Sequence, residues 1–469
     1  MYERIKSRVV HSDVVTNAFP CKSGVRQGEN LSPFLFALYI NDLECFLYEH
    51  DVTGLEHVNK LIEDQIGIFM KLLILLYADD TVILAETSDG LQNSLNAFDQ
   101  YCKKWKLSVN LEKTKVVIFS KGYCKKKYNF TLNGTTIDIS NEYIYLGVLF
   151  TGNGRFVKAI KRISVQANKA MFTIFKSIRQ LDMPIDCQLE LFDNLVKPIL
   201  LYGAEVWGFE NVAMIERVHL KFCKSILNVK QSTPDFMIYG ELGRYPISIS
   251  VKVRIISNWT KMLSCNNKLN TIFYHVMYNL YSVNADFNFP LLSSVKRILQ
   301  DTGLYYIWLS QSVPSIVWLK NNVHLTHIDQ FKQLWWRSAV DSSKGYYYVM
   351  YKHSLFLEPY LLQLPYYYRR WLTKFRTSNH RLPIETGRWY GTERCNRTCH
   401  LSASSTSVCD ELHFLLYCPA LNTFRHQFLP QYFCKHPSTE KFVYLMKCDY
   451  PPLNCNIAKF IKTGLCSMF

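Results

Sequence analysis

The chain has 469 residues, and its 54 Lys and Arg outnumber its 38 Asp and Glu to give a formal net charge of +16. Hydrophobic residues make up 48% of the chain, which excludes a mainly disordered protein. At ~150 residues per domain, the length corresponds to about three domains. The excess of cations favours polyanionic partners, nucleic acid first and an anionic membrane second, because Lys and Arg beside phosphates release condensed counterions.

The 15 cysteines are spread over the whole chain, and no apolar segment of the signal-peptide type follows Met1. We therefore expect an intracellular protein, in the nucleus or the cytoplasm and not secreted, with reduced thiols. The most apolar run, 66–78, is shorter than the ~20 residues that cross a bilayer, and it contains Lys71. This run predicts a buried strand, and the sequence predicts no transmembrane segment.

Strand-like and helix-like patterns alternate over residues 1–154. Ser32 followed by Pro33 predicts the start of a helix. Two apolar runs on either side of 78–80 predict a β-hairpin. The further predictions are a helix over 91–105, a strand over 114–120, a hairpin at Asn133-Gly134 and a closing strand over 143–150.

Helical periodicity begins at residue 155 and predicts a helical domain over 155–284. Residues 285–390 are rich in Tyr and Trp, and we interpret them as an α-rich connecting region with basic and aromatic residues. Residues 391–469 form a separate C-terminal region, because Cys and His cluster there. The predicted fold class is α+β, with antiparallel strands and helices in 1–154 followed by helices.

Asp79 and Asp80, at the tip of the predicted hairpin, carry the sharpest chemical signal. Two Mg²⁺ ions about 4 Å apart need carboxylates that converge on one point. A hairpin tip between two apolar strands holds carboxylates in this way. The alternative is that Asp is simply a common turn residue.

Two polar segments lie upstream and downstream of this hairpin. Gly24 and Gly28 enclose Arg26 and Gln27, so the backbone can approach a flat ligand while Arg26 meets a phosphate and Gln27 meets a base or sugar edge. Lys113, in the segment NLEKTK, can supply charge or a proton to a leaving group. The alternatives are an ordinary polar loop and a solvated turn.

The order of these motifs resembles the reverse transcriptases of non-LTR (LINE-type) retrotransposons. The segments that carry the resemblance are, in order, GVRQGENLSPFLFALYINDLE, YADD, NLEKTK and YLGVLF, and ILLYGAEVWGF (199–209) resembles the thumb region of this group. The resemblance implies a right-hand fold that copies RNA into DNA. It implies a partial palm over 1–154 and a helical thumb-like domain over 155–284.

Carried over by position, the resemblance assigns a role to each motif. Asp79 and Asp80 match the paired metal ligands, which implies Mg²⁺ as a cofactor and an RNA template with a DNA primer or target as partners. The other matches are Arg26, Gln27 and Gly28 for the template and nucleotide, Lys113 for the leaving pyrophosphate, and Tyr145, Leu146 and Gly147 for the primer end.

One element of the family has no counterpart in this sequence. The family places a third metal-binding aspartate on an earlier strand, whereas the only carboxylates before Gly24 are Glu3 and Asp13, in segments that do not fit its pattern. We therefore expect an N-terminally truncated palm with little polymerase activity alone, because two carboxylates do not hold two metals in productive geometry. The alternative function is a nucleic-acid-binding remnant without catalysis.

A second metal site is predicted near the C-terminus. Cys395 and Cys399, followed by His413 and Cys418, form two close pairs of ligands that suit one tetrahedral Zn²⁺. The resemblance agrees, since many of these proteins end in a Cys-Cys-His-Cys knuckle. The alternative is four unrelated residues. The spare candidate ligands are Cys409 and His400.

Basic and aromatic residues cluster just upstream of that site, in the segment YYYRRWLTKFR (366–376). Cations that bind phosphates stand there beside rings that stack on bases. We therefore predict nucleic-acid binding by Arg369, Arg370, Lys374 and Arg376. The alternative is that half of the aromatic residues belong to the core and the arginines to a solvated face.

Overall fold

The computed structural model describes residues 6–11, 14–20, 24, 28–52, 54–55, 74–77, 80–120, 122, 128–181, 183–264, 268–283, 289–401 and 407–468. The chain forms two compact units, residues 1–154 and residues 155–469. Strands are found in the first unit, and the second is built from helices over the described residues. Across these described ranges, no helix combines the length and the apolar character needed to cross a membrane.

The first unit combines short strands with helices. The strands are β1 Lys6–Ser7, β2 Val10–His11, β3 Val14–Val15, β4 Phe19–Pro20, β5 Ile74–Tyr77, β6 Asp80–Ile83, β7 Lys115–Val117, β8 Phe130–Leu132, β9 Thr135–Ser140, β10 Glu142–Tyr145 and β11 Val148–Thr151. The helices are α1 Leu31–Tyr39, α2 Leu43–Glu49 and α3 Ser88–Lys104. Strand β9 lies between β7 and β8, while β1 pairs with β4, β2 with β3, β5 with β6 and β10 with β11.

Helix α3 connects two hydrophobic clusters of the first unit. Its start is capped by Thr87, whose hydroxyl accepts a hydrogen bond from the Gly90 N–H at 3.0 Å. Ala97 and Tyr101 face α2 and are buried with it in one cluster. Leu95 points to the sheet of β7, β8 and β9 and belongs to the second cluster. Because α3 is apolar on both sides, it holds the strands and the N-terminal helices together.

Several predictions for the first unit are confirmed. A hairpin joins β5 to β6, a helix covers 91–104, and Asn133 and Gly134 both have positive φ, 51° and 75°, as a type I′ turn requires. The prediction of one closing strand over 143–150 is wrong, because β10 and β11 form a hairpin there. The sheets are also not purely antiparallel, since β7 runs parallel to β9. Most of the apolar run 66–78 lies outside the described residues.

The second unit is helical. Its α-helices are α4 Val157–Leu181, α5 Ile185–Leu191, α6 Lys197–Leu201, α7 Ala204–Trp207, α8 Ala213–Ile226, α9 Asp235–Leu242, α10 Ile247–Ser264, α11 Lys268–Val283, α12 Pro290–Asp301, α13 Tyr305–Ser310, α14 Ile316–Asp341, α15 Tyr348–Tyr351, α16 Tyr360–Gln363, α17 Tyr366–Arg376, α18 Pro383–Trp389, α19 Asn422–Phe428, α20 Gln431–Cys434, α21 Thr439–Met446 and α22 Pro451–Met468. Single π turns span Phe192–Val196 and His413–Tyr417, and 3₁₀ turns span Arg394–Asn396 and Pro419–Leu421.

The π turn between α5 and α6 is explained by the proline that follows it. Pro198 has no N–H to donate to the carbonyl four residues earlier, so an α-helix cannot continue through it unchanged. The preceding turn widens, and the Lys197 N–H bonds to the Phe192 carbonyl five residues back. Phe192 is fully buried and packs on Phe222 of α8, with ring centroids 4.6 Å apart.

A buried carboxylate fixes helices α8, α9 and α10 relative to one another. Glu216 of α8 accepts hydrogen bonds from the Tyr239 hydroxyl at 2.7 Å and the Ile247 N–H at 2.8 Å, and His219 Nδ1 lies 3.0 Å away. Burial raises the pKa of the Glu216 carboxyl, but the bonds from His219 and Tyr239 outweigh it and hold that pKa below its usual value.

Candidate functional site

The YADD segment lies at the β5–β6 hairpin. The two strands pair antiparallel with Tyr77 opposite Asp80, and Asp80 is exposed at the first position of β6. Asp79 lies outside the described residues. A carboxylate at the start of a paired strand is held by the ladder and remains open to a cation.

The predicted primer-end residues lie in the hairpin of β10 and β11. Tyr145, the last residue of β10, is partly buried, and burial together with the Asp80 carboxylate raises the pKa of its hydroxyl. Two motifs that are far apart in the sequence therefore influence each other electrostatically within the first unit. The hairpin turns through Leu146 and Gly147, whose φ values of 46° and 79° define a type I′ turn. A leucine at positive φ is strained, so this turn is maintained by the strands around it.

The other predicted nucleotide-binding residues are only partly described. Gly28 has a φ of +88°, which favours glycine, and it lies just before α1, while Arg26 and Gln27 lie outside the described residues. Lys113 is exposed in a turn in which its N–H bonds to the Asn110 carbonyl at 3.2 Å.

Three of the four predicted zinc ligands converge near the C-terminus. The ligand atoms of Cys399, His413 and Cys418 all lie within 4.8 Å of one another, and all three residues are buried. The Sγ atoms of Cys399 and Cys418 are 3.8 Å apart. His413 Nε2 is buried and has no hydrogen-bond partner within the described residues, so it is free to coordinate a metal.

Two local devices bring these ligands together. A short antiparallel bridge pairs Thr398 with Val408, so the Cys399 N–H bonds to the Ser407 carbonyl and the Cys409 N–H bonds to the Arg397 carbonyl. The His413–Tyr417 π turn closes with a 2.7 Å bond from the Cys418 N–H to the His413 carbonyl. In an α-helix, residues five positions apart lie on different faces. In the wider π turn they lie on nearly the same face, so His413 and Cys418 point the same way.

The fourth predicted ligand, Cys395, is not part of this group of three. Cys395 is exposed and lies outside the group, with its Sγ 3.8 Å from Glu393. Cys409, named as a spare ligand, also lies outside that group of three, but it is fully buried, and burial together with Cys399 and Cys418 raises the pKa of its thiol. Burial also raises the pKa of Cys418, again with Cys399. A bound metal would stabilise the thiolate form that burial disfavours.

Arg397 ties this metal-binding segment to helix α18. Its guanidinium donates to the Ile384 carbonyl at 3.0 Å and to the Thr392 carbonyl at 2.7 and 2.9 Å, and the Ile384 N–H bonds to the Cys409 carbonyl at 3.2 Å. Gly387 permits this contact, because a Cβ there would lie 2.6 Å from the Arg397 side chain. The position of α18 thus depends on the segment that carries Cys399 and Cys409.

Helix α17 divides the four predicted nucleic-acid residues into two pairs. Arg369 is buried and donates to the Leu361 carbonyl at 3.0 Å. Arg376 is 3% exposed and forms ion pairs with Glu241 and Glu358, each at 2.9 Å. The structure therefore places Arg369 and Arg376 in the core, which differs from the prediction that all four meet a nucleic acid. Arg370 and Lys374 are partly exposed, one turn apart.

Two residues that the sequence did not single out lie beside Arg370 and Lys374. Lys230, in the loop after α8, has its Nζ 4.6 Å from the ring centroid of Trp389 at the end of α18. Lys230 also contributes to the lowered pKa of Lys374. Nothing in the local sequence signals this, because the three segments meet only through the helical packing of the second unit.

A family model described as reverse transcriptase (RNA-dependent DNA polymerase) matches residues 3–150. The first unit is thus a reverse transcriptase domain, and the motifs YADD and YLGVLF lie within it. Similar proteins extend the likeness. The RNA-directed DNA polymerase from the mobile element jockey of Drosophila melanogaster is 26% identical over 235 residues, 48% of this chain and 24% of that protein.

A putative uncharacterized transposon-derived protein of Caenorhabditis elegans is 33% identical over 188 residues, 40% of this chain and 67% of that protein. The Pol polyprotein from the type-1 retrotransposable element R2 of Popillia japonica is 26% identical over 159 residues, 32% of this chain and 24% of that protein. The chain belongs to the reverse transcriptases of non-LTR retrotransposons. It spans 21–24% of the length of the Drosophila melanogaster jockey and BS polymerases and the Drosophila funebris jockey polymerase.

Proposed function

We propose that this chain serves as part of an RNA-directed DNA polymerase of a non-LTR retrotransposon, with an RNA template and a DNA primer as its partners. The observation that carries the proposal is the antiparallel pairing of β5 with β6, which leaves the Asp80 carboxylate exposed at the start of β6, in the same unit as the β10–β11 hairpin of the proposed primer-end residues. The relatives named RNA-directed DNA polymerases support the reaction class.

In this proposal the metal ligands are Asp79 and Asp80. The Asp80 carboxylate is an exposed hard oxygen donor of the kind that Mg²⁺ prefers, and Mg²⁺ would neutralise charge on the reacting phosphates. Lys113 would face the leaving pyrophosphate. The template and nucleotide contacts would be Arg26, Gln27 and Gly28, and the primer end would lie against Tyr145, Leu146 and Gly147.

We also propose that these 469 residues extend a primer only weakly by themselves. Two-metal transfer requires carboxylates on both metals in fixed geometry. The acidic residues before Gly24 are Glu3 and Asp13, and neither lies in a segment of the required pattern. Without a third carboxylate, Asp79 and Asp80 are expected to bind a divalent cation only weakly.

The test combines cation binding with primer extension. Titration with Mn²⁺, followed by electron paramagnetic resonance, is expected to show weak binding that Asp79→Asn and Asp80→Asn each reduce at least about fivefold, because each removes one carboxylate ligand. Extension on an RNA template with an annealed DNA primer, dNTPs and Mg²⁺ is expected to be at most a trace.

The matched control is Asp138→Asn, which removes an exposed carboxylate paired with Lys115 at 2.6 Å in the same unit. Its Mn²⁺ binding should equal that of the unchanged chain. Equal binding by Asp80→Asn would contradict the ligand assignment. Robust extension that Asp79→Asn abolishes would overturn the weak-activity proposal and retain the ligands.

We propose in addition that one structural Zn²⁺ is held by Cys399, Cys409, His413 and Cys418. The support is the unpartnered His413 Nε2 beside two thiols 3.8 Å apart, with Cys409 adjacent to both. Three thiols and one imidazole suit tetrahedral zinc. The ion would hold the bridge at Thr398 and the π turn together.

A further inference from the structure

Three positively charged side chains, two on α17 and one on a loop bonded to that helix, have no acidic partner among the described residues. Arg370 and Lys374 come from α17, and Lys230 comes from the loop after α8. Burial, Arg370 and Lys230 lower the pKa of Lys374, and no carboxylate contributes to that shift. Over the described ranges none of the three forms an ion pair with Asp or Glu. We call these three residues the cationic cluster.

The cationic cluster stands among aromatic rings. The Lys230 ammonium lies 4.6 Å from the Trp389 ring centroid, and the Arg370 guanidinium lies 5.1 Å from that of Tyr367. Lys374 lies 5.9 Å from the Trp371 ring. Trp389 is 55% exposed and Tyr367 is 45% exposed. Large rings left this exposed beside cations offer flat surfaces to a ligand that carries both negative charge and rings.

The loop that carries Lys230 is anchored to the helices around it. The Asn228 side chain donates to the Tyr366 hydroxyl of α17 at 3.0 Å, and Lys224 donates to the Gln231 carbonyl at 2.8 Å. The Thr233 N–H bonds to the Lys230 carbonyl at 3.0 Å. Lys230 is therefore positioned by the fold and does not depend on a ligand for its place.

Two donors beside the cationic cluster lack partners. The Nε atom of Arg370 and the Nε1 atom of Trp371 are buried and make no hydrogen bond in the described part of the chain. Buried N–H groups without an acceptor are unfavourable, and repulsion among three cations adds to that cost. An anionic ligand at this surface relieves the repulsion and brings acceptor oxygens to the guanidinium.

We propose that the cationic cluster and the rings of Tyr367, Trp371 and Trp389 bind a single-stranded nucleic acid, with phosphates on the cations and unpaired bases on the rings. A single strand fits better than a duplex, because paired bases are not open to stacking on side chains. The proposal relies on the proposed polymerase function only for the identity of the strand, an RNA of the element, and binding itself does not need Asp79 or Asp80.

The test is fluorescence anisotropy with a labelled, unstructured RNA 20-mer and the full 469-residue chain. The double variant Arg370→Ala/Lys374→Ala is expected to bind at least about tenfold more weakly, and its slope of log affinity against log salt should fall by roughly 1.4, at ~0.7 per lost phosphate contact on a single strand. Trp389→Ala is expected to weaken binding about fivefold or more, and Trp389→Phe to restore most of it.

The matched control is Lys296→Ala, which removes a cation 5.9 Å from the Tyr281 ring elsewhere in the same unit and should leave affinity unchanged. Circular dichroism and thermal unfolding establish that each variant is folded. Repeating the titration with Asp79→Asn/Asp80→Asn separates the two proposals, since failure of the polymerase proposal leaves this binding intact.

Three results would overturn the proposal. The first is unchanged affinity in the double variant. The second is unchanged affinity in Trp389→Ala, which would indicate a surface that recognises charge alone. The third is preference for a duplex of equal length, or for vesicles of anionic lipid, over the single strand.

Discussion

On helix α17, the direction of each side chain decides what a basic residue does. Arg376 donates to Glu241 at 2.9 and 3.0 Å and to Glu358 at 2.9 Å, while Lys352 pairs with Glu358. Two cations and two carboxylates thus form a neutral, buried network. Removal of any one member of this network is destabilising, because the partner of that member is left as a buried charge without a counter-charge.

Replacing Arg376 should therefore affect stability more than binding. We expect Arg376→Met to lower the free energy of unfolding by about 3–5 kcal/mol, since it leaves Glu241 unpaired in the core. Arg370→Ala on the same helix is expected to change it by less than about 0.5 kcal/mol. Urea unfolding followed by circular dichroism measures both, and equal stability of the two variants would contradict the distinction.

The sequence allows a prediction of residues whose signal is local. Asn133-Gly134 specifies a type I′ turn by backbone preference alone, and that turn is present. The separation of Arg369 and Arg376 from Arg370 and Lys374 is different in kind. It depends on which face of α17 packs against the rest of the second unit. Aromatic residues lie on both faces in YYYRRWLTKFR, so the sequence does not show which face is buried.

Among the structural elements, the bridge at Thr398 and the π turn after it offer a sharp test of the proposed zinc ligands. We expect about one Zn²⁺ per chain in the unchanged protein and in Cys395→Ser, because Cys395 is exposed outside the group. Cys409→Ser and Cys418→Ser should lose the ion, since each removes a buried thiol beside Cys399. Elemental analysis after dialysis measures this, and loss of zinc in Cys395→Ser alone would refute the assignment of Cys409.

Elements with clear periodicity were predictable, and those without it were not. Helix α3 has apolar residues at helical spacing that face α2 on one side and the β7–β9–β8 sheet on the other, and this spacing is visible in the sequence. Helix α14 exposes Val317, Leu325 and Leu334 while it buries Leu319 and Val323, so its apolar residues mark no single face. The proposed fourth zinc ligand, Cys409, was also concealed, because spacing along the chain does not show the pairing of Thr398 with Val408 that brings its segment to that of Cys399.

At the scale of the whole molecule, the second unit depends on carboxylates that remain ionised inside it. Asp193 accepts two bonds from Arg244, at 2.5 and 2.7 Å. Burial raises the pKa of the Asp193 carboxyl, but Arg244 outweighs burial and holds that pKa below its usual value. The pKa of the Glu216 carboxyl is likewise held below its usual value. Lowered pKa values in the folded state stabilise it above the unfolded values.

The second unit is therefore expected to lose stability in acid. The contribution of Asp193 and Glu216 is complete above about pH 5 and is lost as the pH falls through their folded pKa values, below 3.8 and 4.5. Urea midpoints should be similar at pH 7 and pH 5.5 and lower at pH 3. Asp193→Asn should be less stable at pH 7 and lose less on acidification, whereas a midpoint that does not change down to pH 3 would contradict the prediction.

The arrangement of α17 also determines how a mutational survey of this chain should be sorted. Loss of Arg369 or Arg376 reduces the amount of folded protein, and every activity falls with it. Loss of Arg370 or Lys374 is expected to leave abundance unchanged and to reduce only the proposed nucleic-acid binding. A survey that measures only nucleic-acid binding does not distinguish the two groups. A survey that also measures protein abundance separates Arg369 and Arg376, which are seven residues apart, from Arg370 and Lys374, which are four residues apart.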